Sequence, residues 1–339
     1  MTGNQLRLGL VGAGRIGKLH AANIATQMDG AQLVHVADVN LAAAQALAAQ
    51  HRVPNATTDY QDLIKDPALD AIVICSATNT HSEIIRAAAA AGKHVFCEKP
   101  IDTDLARARE TVRQVDSAGI CLQIGFNRRF DPSFAKAQAG IASGKIGTPQ
   151  MLRITSRDPA PPPHSYIEVS GGLFLDMTIH DFDMTRFLSG SEVEEVYALG
   201  GVLVDPEIGR LGDIDSAILT MKLKNGMLAT IDNCRQAVYG YDQRIEVLGS
   251  GGMMQVANRT PDSHMLSNAD SVQQAKPLYF FLERYQESFI AEIRSFIQSI
   301  RNSTPPLVNG HDGIMPLIMA LAAQRSLHEK RPVKLAEVE

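Results

Sequence analysis

The chain has no apolar run near the roughly 18 residues that a membrane-spanning helix needs, so an integral membrane protein is not expected. It has no surplus of basic charge. Its 32 Lys and Arg stand against 37 Asp and Glu, a formal net charge of −5, and no basic surface invites nucleic acid. The opening MTGNQLRLGLVGAG lacks the basic flank and long apolar core of a signal peptide. It runs straight into a strand, and a cytoplasmic protein is expected. Cysteine is scarce: Cys75, Cys97, Cys121 and Cys234 are scattered, and none forms a CxxC pair. That excludes the usual zinc and disulfide frameworks, and no metal site is expected. Buried free thiols in a reducing compartment fit the apolar runs around them. No internal repeat, heptad pattern or low-complexity linker is present, and Pro161–Pro163 reads as a stiff surface loop.

What is present is a chain of 339 residues, enough for about two domains. Hydrophobic content of 45% and charged content of 20% suit a soluble enzyme or binding protein. Residues 1–125 alternate strand and helix. The runs LRLGLVGAG, AQLVHVADV, DAIVICSA, HVFCEKP and CLQIGF read as five strands, with helical spacing between them. DAIVICSA is apolar on both faces, as buried parallel strands are. This rhythm predicts a Rossmann-type, doubly wound parallel sheet. From residue 126 to 339 the rhythm changes to extended runs such as DSAILTMKLK, GMLATIDNC and DQRIEVLGS, with a hairpin signal at Asn225-Gly226. An α/β domain with a large, mostly antiparallel sheet is predicted, ending in two helices.

Gly12-Ala13-Gly14-Arg15-Ile16-Gly17 follows a predicted strand and opens a helix, the context that gives GxGxxG meaning. Gly12 permits a tight turn, Gly14 lets backbone approach a pyrophosphate, and Gly17 lets helix pack on strand. Phosphates would sit at the helix N-terminus. Asp38 ends the second strand, 21 residues beyond Gly17. Its carboxylate can bond the ribose hydroxyls and would repel a 2′-phosphate, so NAD is expected rather than NADP. A plain turn aspartate is the alternative. In CSATNTHSE, Ser76, Ala77, Thr78 and Asn79 fall at the ligand end of the third strand. Asn79 or Thr80 could also cap the next helix.

CEKP ends the fourth strand, and Lys99 before Pro100 should be extended. A lysine there can polarise a hydroxyl and stabilise a developing alkoxide; otherwise it is an ordinary surface lysine. In FLDMTIHDFDM, Asp176 and His180 are four apart, on one helix face. The competing reading is a helix start with acidic groups at its positive end.

The stretches GLVGAGRIGKLHAANI, ATNTHSEIIRAAAAAGKHVFCEKPI and GGLFLDMTIHDFDMTRFL resemble the Gfo/Idh/MocA oxidoreductase family, in order and spacing and over essentially the whole chain. Within it, GFNRRFDPSF, ITSRDPAPPP and YGYDQRIEV resemble the inositol 2-dehydrogenase branch. The resemblance implies that Lys99, Asp176 and His180 form the catalytic group. It implies a nicotinamide cofactor held by Gly12, Ala13, Gly14, Arg15, Ile16, Asp38, Val39, Ser76, Ala77, Thr78, Asn79, His81, Glu98, Lys99 and Asn127. Substrate contacts implied are Lys99, Asn127, Arg128, Arg157, Asp158, Asp176, His180 and Tyr239 or Tyr241. An open sheet that supports dimers or tetramers also follows from it.

The residue chemistry agrees. Oxidising a secondary alcohol needs a hydride acceptor and a base, and histidine titrates near neutrality. His180 is then the base, Asp176 its partner or a substrate contact, and Lys99 the cation at the reacting hydroxyl. Asp181 and Asp183 point elsewhere around the helix; a solvated or helix-paired role is expected for Asp181, although it could touch substrate. His164 and His311 read as loop histidines. The expected reaction is NAD-dependent oxidation of a ring alcohol of an inositol, myo or scyllo, to an inosose. Oxidation of an aldose at C1 to a lactone needs the same hydride geometry. A non-catalytic nicotinamide sensor is the third reading, and the presence of Lys99 and His180 argues against it.

Overall fold

The computed structural model describes residues 5–338. Strands β1 Leu6–Val11, β2 Ala31–Ala37, β3 Asn55–Thr57, β4 Ala71–Ile74, β5 His94–Cys97 and β6 Leu122–Ile124 form one sheet. Its order is β3-β2-β1-β4-β5-β6 and every pairing is parallel. The order reverses between β1 and β4, the point at which ligands bind in such sheets. The pattern predicts five strands here. The sixth, β3, is three residues long at the edge and carries no apolar alternation.

Leu8, Leu10, Val36, Val73 and Phe96 make the centre of this sheet's core. Ile293, Phe296 and Ile297 join them from the helix Gln286–Asn302. These three lie at i, i+3 and i+4, one face of a helix. Residues up to Phe130 and Glu287–Met315 therefore form one compact unit; Asp131–Gln286 and the residues from Pro316 onward form the other. The chain passes between the units more than once, rather than at a single boundary near residue 125. The last crossing falls inside the helix Gly310–Glu329, which carries Pro316 in its interior.

The second unit is built on β7 Pro149–Arg157, β8 Val193–Gly201, β9 Ser216–Leu223, β10 Leu228–Cys234, β11 Asp242–Gly249, β12 Gly252–Val256 and β15 Val333–Lys334. Their order is β12-β11-β7-β10-β9-β8-β15. Only β7 and β10 pair in parallel; the other pairings are antiparallel. A short hairpin, β13 Met265–Ser267 and β14 Val272–Gln274, stands apart from it. The turn at Asn225-Gly226 joins β9 to β10 as its sequence predicts, with Gly226 at φ 86°. Along β9, Ala217, Leu219, Met221 and Leu223 are buried while Ile218, Thr220 and Lys222 are exposed. That alternation marks a sheet covered on one face and open on the other. The helix Ile179–Ser189 packs against β7 on the covered side. Among the described residues no helix is long and apolar enough to cross a membrane.

Candidate active site

In the first unit, β1 ends in the glycine turn and the helix Arg15–Gln27 begins at Gly14 with no side-chain cap. The three glycines do different work. Gly12 sits at φ 101°, and a Cβ there would lie 2.6 Å from the Cys75 carbonyl. A Cβ on Gly17 would lie 1.8 Å from the Gly12 carbonyl oxygen. A Cβ on Gly14 would meet nothing within 4 Å, so that position opens onto space beside the uncapped helix amides. Such amides bind anions. The Asp38 carboxylate accepts from the Ala13 amide at 2.6 Å and from the Asn40 amide at 2.8 Å. Val39 is exposed beside it.

At the end of β4, Ser76 Oγ bonds Thr80 Oγ1 at 2.7 Å. The helix Thr78–Ala90 starts from Ala77, so neither Asn79 nor Thr80 is its cap. Thr80 instead donates back to the Ala77 carbonyl at 2.8 Å. His81 is buried, with Nδ1 2.8 Å from the Pro100 carbonyl and Nε2 3.0 Å from the Ser76 carbonyl. Its ring ties the turn after β4 to the turn after β5. Burial pulls its pKa down. Lys99 follows β5, and the Lys99–Pro100 peptide is cis.

Glu98, next to Lys99, reaches His20 of the glycine-turn helix at 2.8 Å. Glu292, from the returning helix Gln286–Asn302, lies 3.8 Å from the same His20 nitrogen. His20 and Glu292 are fully buried, and Phe96 and Phe289 pack edge-on against the His20 ring. Burial, followed by the charge of Glu98, pushes the Glu292 carboxyl well above its ordinary range. The ligand-type atoms of the three lie within 4.8 Å of one another, a set a cation could use; the His20–Glu98 bond already pairs two of them. Asn127 and Arg128 lie in a buried single turn, Asn127–Phe130. In that turn Arg129 pairs with Asp312 at 3.0 Å.

In the second unit, FLDMTIHDFDM is not one uniform helix. Phe174–Thr178 is a wider π turn that runs into the helix Ile179–Ser189. Phe174, Leu175, Met177, Ile179, Phe182 and Met184 are its buried apolar side. Both oxygens of Asp176 are engaged: Tyr166 donates to Oδ1 at 2.7 Å and Arg235 Nη1 to Oδ2 at 3.2 Å. Arg235 also faces Asp213 at 3.6 Å. His180 stands half-buried four residues on. Asp181 is not solvated. It is fully buried and accepts from Asn233 Nδ2 at 2.8 Å. Asn233 in turn accepts from Thr178 at 2.6 Å.

Arg157 is one residue along β7 from Ser156, so it lies on the opposite sheet face from the Ser156–Asn233–Asp181 contacts. It binds both oxygens of Asp232, and its Nη1 lies 3.2 Å from the Tyr239 hydroxyl. Tyr239 donates to Asp242 at 2.5 Å. Tyr241 is buried edge-on against Tyr285, so Tyr239 carries the more accessible ring. Asp158 uses its backbone to bridge to Cys234 and Ala237. His164 begins the helix His164–Ser170 and bonds Asp205 at 2.8 Å, and His311 lies in the helix Gly310–Glu329. Neither is a loop histidine, because both flanking loops end in helical turns the pattern does not announce. Tyr166, Asp213, Arg235, His20 and Glu292 are absent from the predicted sites. Only the position of Arg235, directly after a predicted strand, could have signalled one of them.

A model of the oxidoreductase family with an NAD-binding Rossmann fold matches residues 6–126. A model of the GFO/IDH/MocA C-terminal domain matches residues 134–255. The chain is 49% identical to a myo-inositol 2-dehydrogenase of Thermotoga maritima, over 98% of this chain and 99% of that one. It belongs to the Gfo/Idh/MocA oxidoreductase family. An inositol 2-dehydrogenase of Rhizobium meliloti is 46% identical, over 98% of this chain and 99% of that one. A crystal structure of scyllo-inositol dehydrogenase from Lactobacillus casei, with bound NAD(H) and scyllo-inositol, superposes with a TM-score of 0.92. It is 31% identical and the match covers 98% of this chain and 100% of that one.

This member of the family is an NAD-dependent oxidoreductase. Its residues fit the cofactor. The open space at Gly14 suits a pyrophosphate, the uncapped amides suit its charge, and the Asp38 carboxylate at the end of β2 is an acceptor of the kind ribose hydroxyls need.

Proposed function

We propose that the protein oxidises a ring secondary alcohol of myo- or scyllo-inositol to the corresponding inosose. The observation that carries this is the Asp176 carboxylate, fixed from both sides by Tyr166 and Arg235, four residues before a half-buried His180. The relatives named for inositol oxidation support the choice of substrate.

In this reading His180 takes the hydroxyl proton. A histidine side chain suits a base that must be free before the step and charged after it. Asp176, as an anion, stabilises that charge or orients a neighbouring ring hydroxyl. Lys99 favours the alkoxide as the carbon–hydrogen bond weakens. NAD+ held at the glycine turn supplies the hydride acceptor. Asn127, Arg128, Arg157, Asp158 and Tyr239 are proposed as further substrate contacts, since each ring hydroxyl needs a directional partner. Arg157 enters this set already committed to Asp232 and Tyr239.

The same reading has the enzyme working in the cytoplasm, with its four cysteines reduced. It also has the enzyme assembling as a dimer or tetramer through the open sheet face. Met151, Leu199, Ile218 and Leu228 are exposed there, more apolar surface than a solvated face needs.

The test is NADH formation across myo-, scyllo- and chiro-inositol and common aldoses. An inositol with kcat/KM at least about tenfold above every aldose, roughly 1.4 kcal/mol of discrimination, is the expected result. An aldose as the best substrate would replace this reading with lactone formation.

A further inference from the structure

Arg235 follows β10 directly, and its position is fixed before its side chain is considered. Its amide donates to the Asp215 carbonyl at 2.8 Å. The Asp215 carboxylate accepts in turn from the Leu203, Val204 and Asp205 amides. The guanidinium is 1% exposed and reaches back to the π turn that carries Asp176. It lies 3.2 Å from Asp176 Oδ2 and 3.6 Å from Asp213 Oδ2. Asp213 also accepts from the Leu173 amide at 3.0 Å, just ahead of that turn. A Cβ on Gly172 would come within 2.9 Å of Asp213 Oδ1, so a glycine is what lets Asp213 close on the chain here.

This is a poor way to gain stability. Burying one cation between two carboxylates costs desolvation that the attraction does not reliably return. Two of the guanidinium nitrogens, Nε and Nη2, make no hydrogen bond among the described residues. A buried donor without an acceptor adds to the cost. What the arrangement does achieve is direction. With Tyr166 on the other oxygen, it leaves the Asp176 carboxylate one orientation.

We propose that Arg235 is the positioning residue for Asp176, holding the carboxylate as an oriented anion for the His180 reaction. This rests on the proposed function above. It adds to it a residue that reacts with nothing but on which the reacting geometry depends.

The test compares Arg235→Gln and Arg235→Lys with Arg186→Gln. Arg186 is another buried arginine of the same unit, paired bidentately with Glu192. Arg235→Gln should lower kcat for the best inositol by tenfold or more while KM moves less than about threefold, the signature of an interaction that matters in the transition state. Arg235→Lys, which keeps the charge without the fork, should recover part of that loss. Arg186→Gln should lose thermal stability to a similar degree and keep its kcat. A crystal structure of Arg235→Gln should show the Asp176 carboxylate turned away from its Tyr166 contact. An unchanged kcat, or a loss matched by Arg186→Gln, overturns the proposal. If the wild type oxidises no inositol, the proposed function fails on its own. The crystal structure then decides: a carboxylate still in place overturns the positioning role, and a displaced one supports it.

Discussion

The Ala13 amide donates to the Asp38 carboxylate at 2.6 Å, locking the middle of the glycine turn to the end of β2. Asp38 therefore shapes the glycine turn, and in the proposed reading it also offers its charge to the ribose. Asp38→Ala should raise KM for NAD by roughly ten- to a hundredfold, the range of a charged hydrogen bond of about 1.5–3 kcal/mol. It should also narrow the preference for NAD over NADP. Steady-state kinetics with both cofactors check this. A wild type that prefers NADP would contradict it.

The glycines separate binding from folding. A Cβ at Gly17 would stand 1.8 Å from the Gly12 oxygen, whereas one at Gly14 meets nothing within 4 Å. Gly17→Ala should lower Tm by several degrees, since overpacking of this kind costs about 1–3 kcal/mol. Gly14→Ala should melt as the wild type does and lose most of its NAD affinity. Calorimetric melting with NAD titration reads both. Equal loss of stability in the two variants would contradict the division of roles.

Glu292 gives a prediction in pH. Its pKa is raised by burial and by Glu98, so the folded chain keeps a proton that the unfolded chain releases above about pH 4.3. Stability must then fall as pH rises through that window. The facing titratable groups are His20, Glu98 and Cys75. Glu292→Gln has no proton to lose. Its Tm relative to wild type should rise from about pH 5 to about pH 8. If Gln is destabilising throughout, Glu292 is an ionised partner of His20 instead.

His180→Ala should cost about 10²–10⁴-fold in kcat, the usual contribution of a positioned base. Lys99→Ala should also remove most turnover and leave NAD binding largely intact, as read by fluorescence titration. A loss below tenfold for His180→Ala would point to a different base.

The sequence carries local information well and distant packing poorly. The glycine turn, the β1–β2 pair with Asp38, and the Asn225-Gly226 hairpin are each set by neighbours in the chain, and each is where its pattern predicts. β3 escaped notice because a three-residue edge strand, Asn55-Ala56-Thr57, is too short to show a pattern. The helix Gln286–Asn302 announces an amphipathic face but not which sheet it covers, and it covers the first. The helix after Asp176 buries Asp181, Asp183 and Arg186 along with its apolar residues, so its polar positions do not mark a solvent face. Tyr166 and Arg235 meet Asp176 from the helix His164–Ser170 and from a strand end 59 residues downstream, and no spacing rule joins them.

The most direct measurement uses an inositol deuterated at its ring carbons, with NAD+ and the wild-type enzyme, followed by mass analysis of the reduced cofactor. The account predicts one deuterium on each NADH formed, a slowed hydride step, and loss of this transfer in His180→Ala and Lys99→Ala. NADH without deuterium, or no NADH from any inositol while an aldose reacts, would contradict it.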